Sequence, residues 1–519
     1  MTQYNIKKDG FNFENLFVFD MANNHQGQVN HGLRIIREIA EVVKGTGVRG
    51  AMKLQFRELD TFIHPDYRET KDNKHVPRFL GTRLKEEEFA ELVRETKNQG
   101  MISVVTPFDE PSVDMALRLG VEVLKVASCS AQDWPLLEKI AETGKPIICS
   151  TGGLTISQID KVVSFFQHRG AYFALMYCVG VYPTLNNQLN LNQIEIMKNR
   201  YPGVTVGFST HEEPTNLNAV KVAYSKGARI LEKHVGVPTD EIKLNAYSVT
   251  PQQLKAWILS CNEAVESLGP YEERTISEQE LSDIRSLMRG VFVKKPVRRG
   301  DVILKSNVFF AIPIQEGQLS SGQFYDGMVA DKDYGANQPL SASLYPVAPM
   351  PREIIYSTIH AVKGMLAVAK IPLSHDINVE LSHHFGIDNF NKVGCTIIDC
   401  FNKEYAKKLI VQTAGQWNPV HYHKKKDETF QVLDGVLEIE VEGKKKQLYP
   451  GDTFWMPRGV WHGFGTETGV VFEEISTSSY GDDSFYIDKV ISRMPRETRK
   501  TKLLNWGRHQ FDDFKEENN

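Results

Sequence analysis

The chain has 519 residues, too many for one ordinary hydrophobic core, so two to four domains are expected. Hydrophobic residues make up 41% and charged residues 24% of the sequence, which excludes wholesale disorder. A formal net charge of -4 provides no general basic field, so nucleic acid is not an expected partner.

The chain is expected to be cytoplasmic and to have no membrane partner. The start MTQYNIKKDG is too polar for a signal peptide, and apolar runs stay well below the ~18 residues of a membrane span. The six cysteines form no CxxC pairs, which favours a reduced compartment. The lysine runs Lys424–Lys426 and Lys444–Lys446 are interpreted as solvated turns.

From Leu16 to about Leu268, apolar runs alternate with segments of helical length. Two of these segments, GLRIIREIAEVVKGTG and KEEEFAELVRETKNQG, end at glycine, as helix C-termini often do. The apolar runs are LFVFDMA, GAMKLQF, MISVVTPF, VEVLKVAS, KPIICST, AYFALMY, GVTVGFS and ARILEKH. About eight strands alternating with helices favour an α/β fold, a TIM (β/α)8 barrel over residues 1–270. No GxGxxG follows an early strand, which disfavours a dinucleotide-binding sheet.

Catalytic groups of a TIM barrel lie at the C-terminal ends of its strands. An ammonium group inside an apolar run is costly without a partner, so Lys53 and Lys125 indicate a specific role. Two lysines with nearby hydroxyls form a cradle suited to a phosphate and a carboxylate. The alternative is a structural ion pair with Asp20 or Glu232.

Two consecutive strand ends carry histidines, His211 in VTVGFSTH and His234 in ARILEKHV. The intervening segment has a helical rhythm and ends at Gly227, so the three elements form a right-handed βαβ unit. Both imidazoles then lie at one end of the barrel, where they can bind a divalent transition metal. Two ordinary strand-end histidines are the alternative.

A small β-rich module is predicted over residues 284–346, where short β-runs are broken by glycines. Its position after the barrel indicates an appended lid or partner surface. The segment VAPMPREI is interpreted as a linker to the C-terminal part.

The most specific signal in the chain is GQWNPVHYHKKKDETFQVLDG, followed by GDTFWMPRGVWH. His421 and His423 alternate on one predicted strand and therefore face the same side. Glu428 lies on the adjoining strand segment, and His462 comes from a later strand. Three imidazoles and a carboxylate inside a small β-barrel suit Mn, Fe, Ni or Zn.

The barrel and the module after it resemble the sialic acid synthase family from about Leu16 to Tyr345. The motifs NNHQG, MKLQF, TPFD, LKVAS, STGG, VYPT, GFSTH and EKH occur in the family's order. The family condenses phosphoenolpyruvate with an N-acetylated hexosamine to give a nine-carbon 3-deoxy-2-keto acid. The resemblance implies a TIM barrel followed by a SAF (antifreeze-like) domain, and a homodimer in which that domain covers the partner's barrel.

The resemblance also implies roles for residues at the strand ends. His211 and His234 are implied to hold a divalent metal, usually manganese, and Asp20, Glu232 and His234 are candidate catalytic residues. The residues implied to bind phosphoenolpyruvate, or to lie beside it, are Lys53, Gln55, Thr106, Lys125, Ser128, Ser150, Tyr182 and Ser209.

Several positions depart from the family's pattern. Asp20 replaces the usual glutamate, Thr210 replaces aspartate in GFSTH, and Ile312 replaces the arginine of the family's KRPG. Further changes fall around Gly180 and near Leu244. These changes concern the acceptor side, so we expect the same bond-forming reaction on an unusual aldose.

The C-terminal part, 347–519 with a core of about 405–480, resembles a cupin. The cupin motif implies that His421, His423, Glu428 and His462 are metal ligands, and the tail FEEISTSSYGDDSFY is similar to that of sugar-isomerase cupins. Two roles remain open: a sugar isomerase or epimerase that supplies the barrel, or a sugar-sensing or assembly module with a structural metal. For the whole chain, the alternative to a synthase is a sugar-binding or scaffold protein of a surface polysaccharide pathway.

Overall fold

The structure of the protein, a computed structural model, describes residues 10–70, 72–271, 273–346, 351–374, 376–504 and 506. The chain divides into two compact units, one ending at Arg274 and the other beginning at Thr275. Within the described residues, no helix combines the length and the apolar character that a membrane crossing requires.

The first unit is a closed barrel in which strands adjacent in sequence pair in parallel and the last strand pairs with the first. Its strands are β1 (Leu16–Asp20), β2 (Arg49–Phe56), β3 (Ile102–Pro107), β4 (Val123–Val126), β5 (Ile147–Ser150), β6 (Phe173–Cys178), β7 (Val206–Thr210) and β8 (Ile230–His234). Each predicted apolar run overlaps one of these strands, so the predicted TIM barrel is confirmed.

Amphipathic helices connect the strands. They are α1 (Val29–Thr46), α2 (Leu59–Phe62), α3 (His75–Gly81), α4 (Glu86–Asn98), α5 (Glu110–Arg118), α6 (Trp134–Glu142), α7 (Ile156–His168), α8 (Asn192–Arg200), α9 (Asn218–Ser225) and α10 (Pro251–Leu268). The glycine stop signals are confirmed, because α1 ends at Gly47 with φ 67° and α4 is followed by Gly100 with φ 77°. The buried faces of these helices pack with outward strand residues into one large apolar cluster.

The inside of the barrel is apolar at one end and polar at the other. Leu16, Val18, Ala51, Val123 and Ile230 belong to a separate inner apolar cluster. Side chains alternate across a strand, so the inward series continues toward the C-terminal ends with polar residues. These inward residues are Asp20, Lys53, Gln55, Lys125, Ser150, Ser209, Glu232 and His234.

The second unit begins with α11 (Glu278–Leu287) and a small β-rich region. Its strands are β9 (Gly290–Val293), β10 (Val302–Ile303), β11 (Val308–Ala311) and β12 (Met328–Val329), which pair as β9–β11 and β10–β12. A compact apolar cluster that includes Val291, Ile303, Tyr334 and Leu340 supports the region. Ile312 is exposed. The SAF assignment over 284–346 stays a prediction.

Two antiparallel sheets make up the remainder of the second unit. The seven-stranded sheet has the order β20-β17-β22-β15-β14-β13-β24, and the five-stranded sheet has the order β19-β18-β21-β16-β23. The strands are β13 (Val379–His383), β14 (Gly394–Asn402), β15 (Tyr405–Gln412), β16 (Trp417–Tyr422), β17 (Glu428–Gly435), β18 (Leu437–Val441), β19 (Lys444–Leu448), β20 (Thr453–Met456), β21 (His462–Gly465), β22 (Val470–Thr477), β23 (Phe485–Tyr486) and β24 (Lys500–Leu503).

Helices flank these sheets in sequence. They are α12 (Pro351–Val368), before the first strand, and α13 (Lys489–Arg493), before the last. The linker interpretation of VAPMPREI is wrong for residues 351–354, because they form the first turn of α12, whose Ile354 and Ile355 are buried. Residues 347–350 of that segment lie outside the described residues.

Candidate active site

Four charged side chains form one network at the polar end of the barrel. Glu232 accepts hydrogen bonds from Lys53 Nζ at 3.0 Å and from Lys125 Nζ, and also from Ser209 Oγ at 3.0 Å. Asp20 Oδ2 lies 2.8 Å from Lys53 Nζ. Strand register brings these groups together, because Asp20 pairs with Lys53 on one side and with His234 on the other. Both lysines therefore form the ion pairs that the alternative named, with Glu232 as their shared partner and Asp20 as a second partner of Lys53.

The charges of this network stabilise one another against burial. Burial opposes the charged form of Glu232, but Lys125 and Lys53 outweigh it and hold the pKa well below its ordinary value. Burial also opposes the charge of Lys53, yet Asp20 and Glu232 raise its pKa. For Lys125 burial dominates and lowers the pKa. Two cations thus face two anions. Of the two lysines, Lys125 holds its proton more weakly.

The two barrel histidines lie side by side, with ring centroids 5.4 Å apart. His211 Nδ1 contacts the Val179 carbonyl oxygen at 3.0 Å. This contact leaves the other ring nitrogen, Nε2, available as a metal ligand. His234 Nδ1 is buried without a hydrogen-bond partner, 3.4 Å from Asp20 Oδ2. Burial lowers the pKa of His211 to about 3 and lowers that of His234, so both rings are neutral. An unpartnered buried nitrogen beside a second neutral imidazole and a carboxylate fits a divalent metal.

The predicted hydroxyl groups divide into free and engaged ones. Thr106 Oγ1 and Ser150 Oγ are buried at their strand ends with no hydrogen-bond partner, which is costly unless a ligand completes them. Ser128 Oγ instead accepts from the Gly152 amide at 3.0 Å. The free pair can donate to an anion without breaking an existing bond.

Two tyrosines border the histidine pair. The predicted Tyr182 packs against His211 with centroids 4.2 Å apart, while its side chain stays about half exposed. Tyr247, which the sequence did not single out, lies 5.1 Å from the His234 ring and 5.2 Å from the Tyr182 ring. It follows β8 in a segment without strand or helix periodicity, so periodicity could not have located it.

The C-terminal sheets bring together the second predicted set. The ligand-capable nitrogens of His421, His423 and His462 all lie within 4.8 Å of one another. Glu428 approaches two of them, with Oε1 3.4 Å from His423 Nε2 and Oε2 3.2 Å from His462 Nε2. The sequence placed Glu428 on an adjoining strand segment, but β17 belongs to the seven-stranded sheet and faces the histidines of the other sheet.

Backbone carbonyl groups fix the orientation of all three cupin imidazoles. The Nδ1 atoms of His421, His423 and His462 contact the carbonyl oxygens of Pro419, Asp483 and Val460 at 2.9, 2.6 and 3.0 Å. Each ring therefore carries its proton on Nδ1 and presents a bare Nε2 inward. His462 Nε2 and Glu428 Oε2 have no hydrogen-bond partner although both are buried. This donor set fits a divalent transition metal.

Lys426 contradicts the solvated-turn interpretation of its lysine run. Its side chain is only 5% exposed, and Nζ binds Glu428 and, at 2.9 Å, Glu474 Oε1. Burial opposes its charge, but Glu474 and Glu428 raise its pKa. Three consecutive lysines gave no sign that one of them faces inward. The ammonium group of Lys426 therefore lies next to Glu428, one of the candidate metal ligands.

The fold and the strand-end groups define a class: a (β/α)8 barrel with a lysine–carboxylate–histidine centre, followed by a cupin. The pattern described as NeuB family matches residues 40–273, and the pattern described as cupin domain matches residues 409–473. The chain belongs to the NeuB family.

Individual relatives agree with this assignment. A crystal structure assigned as spore coat polysaccharide biosynthesis protein E from Chromobacterium violaceum is 43% identical, with a TM-score of 0.62 over 64% of this chain and 99% of that one. A Methanocaldococcus jannaschii protein of uncharacterised function is 30% identical over 56% of this chain and 82% of its own length. The N,N'-diacetyllegionaminic acid synthase of Campylobacter jejuni is 26% identical over 47% of this chain and 73% of its own length.

Proposed function

We propose that this protein condenses phosphoenolpyruvate with a hexosamine-like aldose, giving a 3-deoxy-2-keto sugar acid and phosphate. The observation that carries the proposal is the convergence of Lys53 and Lys125 with the two neutral histidines at one end of the barrel. The NeuB relatives named as synthases of sialic-acid-like sugars support the same reaction class.

Phosphoenolpyruvate would bind where Glu232 now neutralises both lysines. Its phosphate and carboxylate offer the same acceptor oxygens as Glu232, and Thr106 and Ser150 have hydroxyl protons free to donate. Ser209, already bound to Glu232, lies on the neighbouring strand end. The lysines then stabilise the charge that develops on the departing phosphate.

The histidine pair with Asp20 would hold the aldose end of the reaction. His211, His234 and Asp20 would hold a divalent metal there, manganese by family resemblance, and that metal would supply polarisation of the aldehyde oxygen. Asp20 Oδ2 contacts both Lys53 and His234, so it can position the lysine ammonium between the two substrates. Holding the two substrates face to face supplies much of the rate enhancement, up to ~7–11 kcal/mol in favourable models.

The bond changes then follow in order. The third carbon of phosphoenolpyruvate attacks the aldehyde carbon, water adds to the second carbon, and phosphate leaves as that adduct collapses. The new alkoxide needs one proton and the attacking water loses one. Lys125, whose pKa burial lowers, is placed to donate, and Glu232 or Asp20 to accept.

The test is phosphate release from phosphoenolpyruvate across a panel of aldoses and hexosamines with manganese, with product masses recorded. We expect one aldose to give stoichiometric phosphate and a product heavier by the added three-carbon acid. The absence of release with every aldose would favour the alternative of a sugar-binding or scaffold protein.

For the cupin we propose a second activity, the isomerisation or epimerisation of a sugar that the barrel accepts. The favouring observation is the buried Lys426–Glu474 pair beside Glu428, because such chemistry needs a proton carrier next to a metal-bound sugar. Full-length protein carrying Lys53→Ala removes the synthase step and isolates the cupin. Metal-dependent interconversion of free sugars by this variant is expected. Its absence leaves the sensing or assembly role.

A further inference from the structure

A small polar cavity lies beside the reaction centre, among the loops that follow β1 and β2. Its volume is about 30 Å3, which holds roughly two water molecules at ~10–15 Å3 each. Asn23, His25, Gln55, Arg57 and Arg83 line it together with apolar side chains. Of these, only Gln55 is among the residues that the family resemblance placed at or beside phosphoenolpyruvate, and none takes part in the proposed reaction.

Arg57 is the exceptional group of this cavity. Phe79 and Phe108 cover its guanidinium on the flat faces, at 4.1 and 3.6 Å from the ring centroids. Nη2 donates to Gln55 Oε1 at 3.0 Å, while Nε is buried without a partner. Burial lowers the pKa of Arg57 to about 10, so the group remains charged at neutral pH. Because the phenyl rings cover both faces of the guanidinium, a ligand can reach only the N–H groups along its edge.

This guanidinium lacks the counter-ion that its neighbours have. Among the described residues, no carboxylate makes an ion pair with Arg57, and Asp20 and Asp109 influence it only from a distance. Arg83, on the same cavity, is by contrast paired with Asp60 Oδ2 at 2.6 Å. A half-buried cation without a partner is costly, and a bound anion would offset that cost.

A short chain of hydrogen bonds joins this cation to the reaction centre. Gln55 accepts from Arg57 and donates through Nε2 to Asp20 Oδ2 at 3.4 Å. Asp20 in turn contacts His234 and Lys53. A substrate whose aldehyde end lies at the histidines can therefore extend past Gln55 toward the cavity.

We propose that this cavity is an oxyanion subsite of the acceptor sugar, in which the free edge of Arg57 binds a phosphate or carboxylate group. The inference rests on the proposed synthase reaction and narrows its acceptor to an anionic aldose. Edge donors of a guanidinium match two oxygens of either group, and a neutral sugar offers no such charge.

Calorimetric binding tests the subsite without requiring turnover. The full-length protein is saturated with phosphoenolpyruvate to fill the lysine cradle, and EDTA prevents reaction. N-acetylmannosamine 6-phosphate, N-acetylmannosaminuronate and neutral N-acetylmannosamine are then titrated. We expect one anionic sugar to bind at least tenfold more tightly than the neutral one, and which one does so identifies phosphate or carboxylate as the ligand.

Substitution then assigns the preference to one side chain. Arg57→Gln should remove the tenfold advantage and leave the affinity for phosphoenolpyruvate unchanged, and Arg57→Lys should keep part of the advantage. Arg34→Gln, at an exposed arginine paired with Glu38 on α1, is the matched control. Equal binding of all three sugars by the wild-type protein overturns the proposal. This wild-type comparison tests the proposal even if Arg57→Gln fails to fold. An Arg57→Gln variant that keeps the preference overturns it too.

Discussion

The barrel centre and the cupin centre both place buried histidines beside carboxylates, but they balance charge differently. In the barrel, two lysines and two carboxylates neutralise each other before any ligand arrives. In the cupin, three Nε2 atoms and a carboxylate converge, and their orientation is fixed from behind by backbone carbonyls. The comparison therefore predicts exchange of anions in the barrel and binding of a cation in the cupin.

The largest effect that this comparison predicts concerns the barrel cations. Lys125→Ala removes one of the two lysine partners of Glu232, the one whose pKa burial lowers. Phosphate release from phosphoenolpyruvate should fall by at least ~10³-fold. Lys139→Ala, at a partly exposed lysine paired with Asp114, is the control and should keep full turnover. Turnover that survives in Lys125→Ala contradicts the cradle assignment.

Loss of a cupin imidazole should act on metal content rather than on barrel turnover. His421→Ala opens a ligand set held by backbone contacts, so the purified full-length protein should lose about one equivalent of metal, measured by elemental mass spectrometry. His168→Ala, at an exposed position at the end of α7, should leave the metal content unchanged. Equal metal content in His421→Ala and wild type contradicts the site.

The cation inside the cupin gives the next effect. Lys426→Met leaves Glu428 and Glu474 as like charges in a buried space, which costs about 3–5 kcal/mol. Hydrogen exchange of β17 peptides should show faster opening in EDTA, and added metal should restore part of the protection. The neighbouring Lys425→Met, exposed and paired with Asp482, is the control. Unchanged protection in Lys426→Met means that the lysine is not needed to balance the carboxylates.

The smallest effect concerns the aromatic wall of the barrel histidines. Tyr247→Ala removes a ring that contacts His234 and Tyr182, so metal affinity of the barrel should weaken by ~10-fold. Tyr247→Phe keeps the ring and should bind as wild type does. Competition with a metal-sensitive dye, in a His421→Ala background that lacks the cupin metal, measures the barrel alone. A loss in Tyr247→Phe equal to that in Tyr247→Ala indicates that the hydroxyl group matters instead.

Most of the fold follows from the sequence because its signals are local. Apolar runs alternating with glycine-terminated helical segments locate the barrel strands, and the spacing of His421, His423 and Glu428 locates the cupin cluster. Those patterns depend on neighbours along the chain.

What the sequence could not supply depends on contacts between distant elements. Lys426 lies in a run of three lysines that indicates solvent, but it is buried against Glu428 on β17 and Glu474 on the distant strand β22. Arg57 follows a strand in a polar segment, and only Phe79 and Phe108 enclose it. The linker interpretation of VAPMPREI is wrong at residues 351–354 because Pro351 is the first residue of α12, a position where a helix accepts proline.

One carboxylate, Glu232, contacts both barrel ammonium groups, so under the proposed function phosphoenolpyruvate would enter by replacing Glu232 as their counter-ion. The cluster carries two positive and two negative charges, so its field largely cancels beyond the Debye length of ~8–10 Å. Under the proposed function, these four charges would contribute little to long-range steering of phosphoenolpyruvate. The bimolecular capture rate constant should accordingly stay nearly flat across a salt titration, unlike that of enzymes whose clefts focus an unbalanced charge.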